Sequence, residues 1–228
     1  MTGVLVSAHR GGAGDDHRIE NTLIAYERAI ALGCDYVEID IRRSADGRFV
    51  VIHDLDVESE PSVIEGERLE DVLACLRGRA KAHVDLKFAG GELAAVVDIV
   101  EELGADNIVI TTAEDESIPR LFDWSRQYAP ELLIGLSTSP RAGGATLRDR
   151  IHAWFPRRRL RRSGANVVVA QHTLARFWLR SYAHRKGLPL LVWTVDEPTA
   201  LARWMNDSRT WMVTTNYPKR AFAARRQD

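Results

Sequence analysis

Residues 36–54, YVEIDIRRSADGRFVVIHD, hold two strand-forming runs around one turn, and the reading of that turn decides the fold. From Ile41 to Phe49 there are too few residues for a parallel crossover, which takes about a dozen. Asp46-Gly47 instead reads as a two-residue hairpin turn. The run 49–53 therefore folds back antiparallel on the run 36–41. With a ladder symmetric about the turn, Asp40 lies opposite His53. Working outward, seven further runs rich in aliphatic and β-branched residues lie at 4–10, 82–87, 107–112, 132–136, 166–170, 190–195 and 211–215. Helical patterns fill most of the gaps, at 21–32, 68–76, 92–103, 118–128, 173–186 and 198–206. Strands separated by such stretches imply βαβ units and a parallel sheet. Removing the hairpin strand leaves eight. The fold class is α/β: a single (β/α)8 TIM barrel with a β-hairpin extension after strand 2. No Gly/Ser/Pro-rich linker divides residues 1–228, so one domain is expected.

Composition narrows the function. Apolar residues make up 45% and charged residues 28%, with a formal charge of −1, so no global field recruits nucleic acid or a membrane surface. Cys34 and Cys75 are the only cysteines, too few for a disulfide framework and too far apart for a zinc site. No apolar run reaches the roughly 20 residues of a membrane span. The first residues lack a basic leader and run straight into a strand, so a cytoplasmic protein without stable membrane insertion is expected.

In a barrel of this kind the chemistry sits at the C-terminal ends of the strands. His9 and Arg10 close the first strand, Glu38 and Asp40 the second, and Asp85 and Lys87 the next, while His53 returns on the hairpin. Glu38 and Asp40 are two apart and share a face, as do Asp85 and Lys87. Three carboxylates, two histidines, an arginine and a lysine thus converge on one mouth. Such density of buried charge needs a bound ion and an anionic ligand to compensate it.

The runs His9-Arg10-Gly11-Gly12, Glu20-Asn21-Thr22, Glu38-Ile39-Asp40, Asp46-Gly47, His53-Asp54 and Asp85-Leu86-Lys87, in that order, resemble the signature of glycerophosphodiester phosphodiesterases. Trp193-Thr194-Val195 resembles that family's late Trp-Thr strand. The resemblance implies a phosphoric diester hydrolase that cleaves a glycerophosphodiester to glycerol 3-phosphate and an alcohol. It implies that Glu38, Asp40 and Asp85 ligate one divalent ion, and all-oxygen ligation favours Mg²⁺ or Ca²⁺. His9 and His53 become the acid–base pair. Which of them takes which role is left open, with His53 as base and His9, beside the phosphate-holding Arg10, as acid the preferred order. Arg10 and Lys87 hold phosphate oxygens. Glu20 is an outer metal ligand or an orienter of Arg10, and Trp193 a wall for the leaving alcohol.

Three features depart from the family pattern. Asp85 stands where glutamate is usual, the stretch from His53 to Asp85 is short, and Thr215-Asn216-Tyr217-Pro218 replaces Thr-Asp-x-Pro. They leave open a lysophospholipase D, or a diesterase for a larger lipid-derived or inositol-type substrate. A non-catalytic barrel that only binds phosphoryl ligands is a further alternative. The run from Arg157 to Arg162 carries five arginines, read as a solvated helix end or loop with a possible weak contact to anionic lipid. No role is assigned to His17, His152, His172 or His184, and the oligomeric state is left open.

Overall fold

The computed structural model describes residues 3–44, 46–53, 66–138 and 157–225. Asp54 of the sequence signature and His152 lie outside them. The strands, in chain order, are β1 (Leu5–Ala8), β2 (Tyr36–Arg43), β3 (Phe49–Val51), β4 (Glu67–Arg68), β5 (Lys81–Leu86), β6 (Ile108–Thr112), β7 (Leu133–Ser137), β8 (Val167–Gln171), β9 (Leu190–Trp193) and β10 (Met212–Thr215). Eight of them run parallel, and β1 closes the ring by pairing with both β2 and β10. β3 and β4 stand apart as an antiparallel extension on β2. This is the (β/α)8 barrel with a hairpin after its second strand.

Alternation along each strand sorts the core into two layers. Tyr36, Val109, Val167, Val169, Leu191 and Met212 form the lumen cluster. Their neighbours Val37, Ile110, Val168 and Val213 face outward against the helices. Period-two patterning on strands buried on both faces produces this division. Among the helices, α1 (Leu23–Ala31) follows β1, α2 (Leu69–Leu76) precedes β5 and α3 (Glu92–Leu103) follows it. The arginine-rich stretch also forms a helix, Arg157–Ser163.

The hairpin register differs from the symmetric expectation. Ile41 pairs with Val51 and Arg43 with Phe49, and the amide of Ser44 donates to the carbonyl of Arg48. Three residues therefore span the turn rather than two. Gly47, at φ 89°, takes the left-handed position that a three-residue loop requires. Asp40 consequently lies opposite Ile52, whose amide donates to the Asp40 carbonyl at 3.0 Å. The one-residue slip would send His53 to the far face if the ladder continued. The ladder instead ends at Val51 and the chain bends at His53.

Candidate active site

Strand register assembles the mouth. Asp40 pairs with Asp85 across β2 and β5, and Asp85 with Thr111 across β5 and β6, so their side chains share one row. One oxygen from each of Glu38, Asp40 and Asp85 lies within 4.8 Å of the others. Burial pushes the Glu38 carboxyl well above its usual range, and the neighbouring Asp40 charge adds to the shift. Asp40 is also buried, yet Lys87, His53 and Arg10 hold it down at about 2. Its Oδ1 is buried without a hydrogen bond from the described residues, with Lys87 Nζ 3.1 Å away. A cluster of hard oxygens, with one carboxyl raised by burial and by its neighbours and one buried oxygen that accepts no hydrogen bond from the described residues, fits a divalent cation such as Mg²⁺ or Ca²⁺.

The bend after β1 brings the cations in. Arg10 sits at φ 48° and Asn21 at φ 57°, the two described non-glycine residues with positive φ. Such backbone strain is typical of functional loops. In this geometry the Arg10 amide donates to Glu38 Oε2 at 2.6 Å, and its guanidinium reaches Asp40 at 3.2 Å and Glu20 at 2.7 Å. Asn21 donates to Asp40 Oδ2 at 3.1 Å and accepts from the Tyr26 hydroxyl at 3.0 Å. Glu20 also contacts His17 at 2.5 Å and does not join the carboxylate cluster. Its described contacts are with Arg10 and His17. Lys87 lies 2.5 Å from Asp85, and its carboxylate neighbours raise its pKa against the opposing effect of burial.

His9 and His53 each lie near enough to Asp40 to interact with its charge. His9 Nδ1 lies 2.8 Å from Asn216 Oδ1, and burial lowers its pKa, with the Arg10 charge acting in the same sense. His53 lines a cleft of about 490 Å³ together with Arg10, Glu20, Asn21 and Glu67. Its carbonyl accepts from Arg42 Nε at 2.5 Å, which ties down the bend. Trp193 packs against the lumen cluster at the end of β9, at the same mouth.

Several residues here carried no role in the sequence reading. Thr111 donates to Asp85 Oδ1 at 3.0 Å, and behind it His83 bridges Thr111 at 3.2 Å and Ser7 at 3.1 Å. Burial pushes His83 down to about 3. Asp196 accepts from the Thr215 hydroxyl, the Asn216 amide and the Asn216 side chain. The Glu20-Asn21-Thr22 run pointed at Asn21, and the Thr215–Pro218 stretch at Asn216. A lone strand histidine such as His83 gives no comparable signal.

Known proteins with this arrangement identify the scaffold. Residues 9–72 match the model of the glycerophosphoryl diester phosphodiesterase family, a span that holds both histidines, Arg10 and two of the three carboxylates. Over those residues the chain is similar to that family. It is 24% identical to a glycerophosphodiester phosphodiesterase of Arabidopsis thaliana over 93% of this chain and 70% of that one. The crystal structure of a glycerophosphodiester phosphodiesterase from Agrobacterium tumefaciens superposes with a TM-score of 0.68 at 25% identity, covering 96% of this chain and 99% of the other. A phosphodiesterase of Oleispira antarctica, solved in complex with the product sn-glycerol-3-phosphate, shares the fold at a TM-score of 0.72 and 17% identity, over 97% and 96%.

Beyond the barrel mouth, the arginine run is partly committed. Arg159 forks onto Asp115 at 2.6–3.0 Å and reaches the Ala113 carbonyl. Arg161 lines a shallow groove with Tyr182, Arg185 and Lys186. No helix among the described residues is long and apolar enough to cross a membrane.

Proposed function

We propose that the protein hydrolyses a glycerophosphodiester to glycerol 3-phosphate and an alcohol, using one divalent ion and the pair His9 and His53. The observation that carries this reading is the convergence of Glu38, Asp40 and Asp85 within 4.8 Å beside Arg10, Lys87 and His9. Bound among the three carboxylates, Mg²⁺ or Ca²⁺ would supply a positive centre for the charge that builds on the phosphoryl oxygens.

The remaining work falls to the chain itself. Arg10, aimed by Glu20, presents its guanidinium to the non-bridging oxygens as a fork, and Lys87 adds a point charge from the facing strand. One histidine takes the proton of the attacking hydroxyl, which is either water or the neighbouring glycerol hydroxyl, and in the second case water then opens the cyclic phosphate to glycerol 3-phosphate. The other gives a proton to the leaving oxygen, and each transfer contributes about 10²–10⁴ in rate. Trp193 bounds the space for the alcohol, and the cleft beside His53 is open enough to accept a headgroup. A binding-only barrel would have no need of two histidines at the cluster.

Incubation with glycerophosphocholine, glycerophosphoethanolamine, glycerophosphoinositol and lysophosphatidylcholine, with products identified by mass, tests the reading. Glycerol 3-phosphate from the first two is expected. Turnover of lysophosphatidylcholine alone would move the assignment to a lysophospholipase D. No turnover of any of them would contradict catalysis. The groove of Arg161, Arg185 and Lys186 is the surface we assign to weak anionic-lipid contact. Salt-sensitive co-sedimentation with phosphatidylglycerol vesicles, but not phosphatidylcholine vesicles, is the expected outcome.

A further inference from the structure

We propose that Asp196 and Asn216 are positioning residues that fix the His9 imidazole with its proton on Nδ1, and so make Nε2 of His9 the general base of the reaction. The inference rests on His9 belonging to the catalytic pair, and it reverses the division of labour expected from sequence.

The argument begins with a carboxylate. Asp196, just past the end of β9, accepts three hydrogen bonds, from the Thr215 hydroxyl at 3.0 Å and from the backbone and side-chain nitrogens of Asn216, both at 2.8 Å. A side-chain amide has two distinct ends, a donor nitrogen and an acceptor oxygen, and nearby partners decide which way it turns. Turned the other way, Asn216 would set its oxygen against a carboxylate oxygen and lose a charge-assisted bond. Asp196 therefore holds the nitrogen, and the oxygen faces His9.

That orientation passes to the imidazole. Asn216 Oδ1 lies 2.8 Å from His9 Nδ1, and an amide oxygen only accepts. Nδ1 must carry the hydrogen. In the neutral ring the lone pair then lies on Nε2, the form able to take a proton. The partner touching the imidazole is uncharged, with the carboxylate one residue further back. A carboxylate placed directly on Nδ1 would favour the imidazolium. Here burial and the adjacent Arg10 charge favour the neutral ring, and the Asn216 bond and the Asp40 and Glu20 charges oppose them only in part. A histidine kept neutral suits the group that must accept a proton. His53 is then left to protonate the leaving oxygen.

The experiment combines imidazole ¹⁵N spectra of the intact protein, with His9 assigned from a His9→Gln sample, and pH profiles of glycerophosphocholine hydrolysis. Wild type should show His9 protonated at Nδ1. Asp196→Ala, which frees the Asn216 amide to rotate, should mix the two tautomers. It should also lower kcat roughly tenfold or more with KM little changed, since a mis-set tautomer is costly when the surrounding geometry is kept. Asp196→Asn should fall between the two, and it serves if the alanine variant does not fold. Exchanging the pair, as Asp196→Asn with Asn216→Asp, keeps the hydrogen bonds but moves the charge onto Nδ1. The acid limb of kcat/KM should then rise by about one pH unit.

Retention of the Nδ1 tautomer and of kcat in Asp196→Ala would overturn the inference, as would a wild-type ring protonated at Nε2. The spectrum reads the tautomer whether or not any diester is cleaved. An inactive wild type with the stated tautomer would therefore sink the catalytic reading, and the base role with it, while leaving the hydrogen-bond chain in place.

Discussion

At the residue scale, the three carboxylates are not equivalent, and single substitutions should separate them. Three clustered carboxylates repel one another, so that removing any one is expected to relieve strain. The hydrogen bonds refine that view. Asp40 compensates Arg10, Lys87 and Asn21, whereas Glu38 is buried with its pKa raised and a backbone amide as its partner. In metal-free buffer Glu38→Gln should raise Tm, because it removes the cost of burying or protonating that carboxyl and keeps an acceptor for the Arg10 amide. Asp40→Ala should lower Tm by taking one of their two carboxylate partners from each of Arg10 and Lys87, at about 2–4 °C per kcal/mol for a chain of this size. Both should lose metal binding. Melting curves in EDTA check the pair, and a fall in Tm for Glu38→Gln would contradict the assignment. The thiols make a second case. Burial pushes Cys34 up to about 12 and also raises Cys75, so neither should react readily with a disulfide reagent at pH 8.

At the element scale, the loop after β1 does more than its length suggests. Gly11 sits at φ 86°, and a Cβ there would lie 2.5 Å from the Ala25 methyl of α1. Gly11→Ala should cost about 1–3 kcal/mol through strain and overpacking, and should shift Arg10 off Glu38 and Asp40. A variant with wild-type Tm and wild-type phosphate affinity would show that the loop tolerates what this geometry forbids. The barrel strands and most helices were legible in sequence because two periods, 2 and 3.6, alternate along the chain. Parity alone placed Glu38 with Asp40 and Asp85 with Lys87. The hairpin register was not legible, since whether Asp46-Gly47 closes a two- or a three-residue loop depends on the φ that Gly47 takes. Nor was the partner of His9, because Asn216 lies 207 residues away and arrives only when β10 closes the ring on β1.

At the scale of the whole molecule, the lumen joins stability to the site. His83, beneath Asp85, stays neutral when folded down to about pH 3, whereas in the unfolded chain it takes up a proton near 6.5. The lowered folded-state value means that its share of stability is full above pH 6.5 and is lost as pH falls toward 3. The slope is at most about 1.4 kcal/mol per pH unit in that window. His83→Asn should therefore show a shallower acid decline of Tm than wild type, even if it is less stable at pH 8. Parallel curves would contradict the burial of a neutral imidazole there.

The same scale carries the central claim, that three carboxylates at the barrel mouth hold a divalent ion on which diester cleavage depends. Because the ion would sit on a closed barrel with its own core, chelation should remove activity without unfolding the protein. The most direct measurement is glycerophosphocholine hydrolysis by protein treated with EDTA and dialysed, assayed before and after Mg²⁺ or Ca²⁺ is restored, with circular dichroism recorded in parallel. The account predicts an unchanged spectrum, loss of glycerol 3-phosphate release after chelation, and recovery with one of the two ions. Full activity in the chelated, dialysed protein would contradict it.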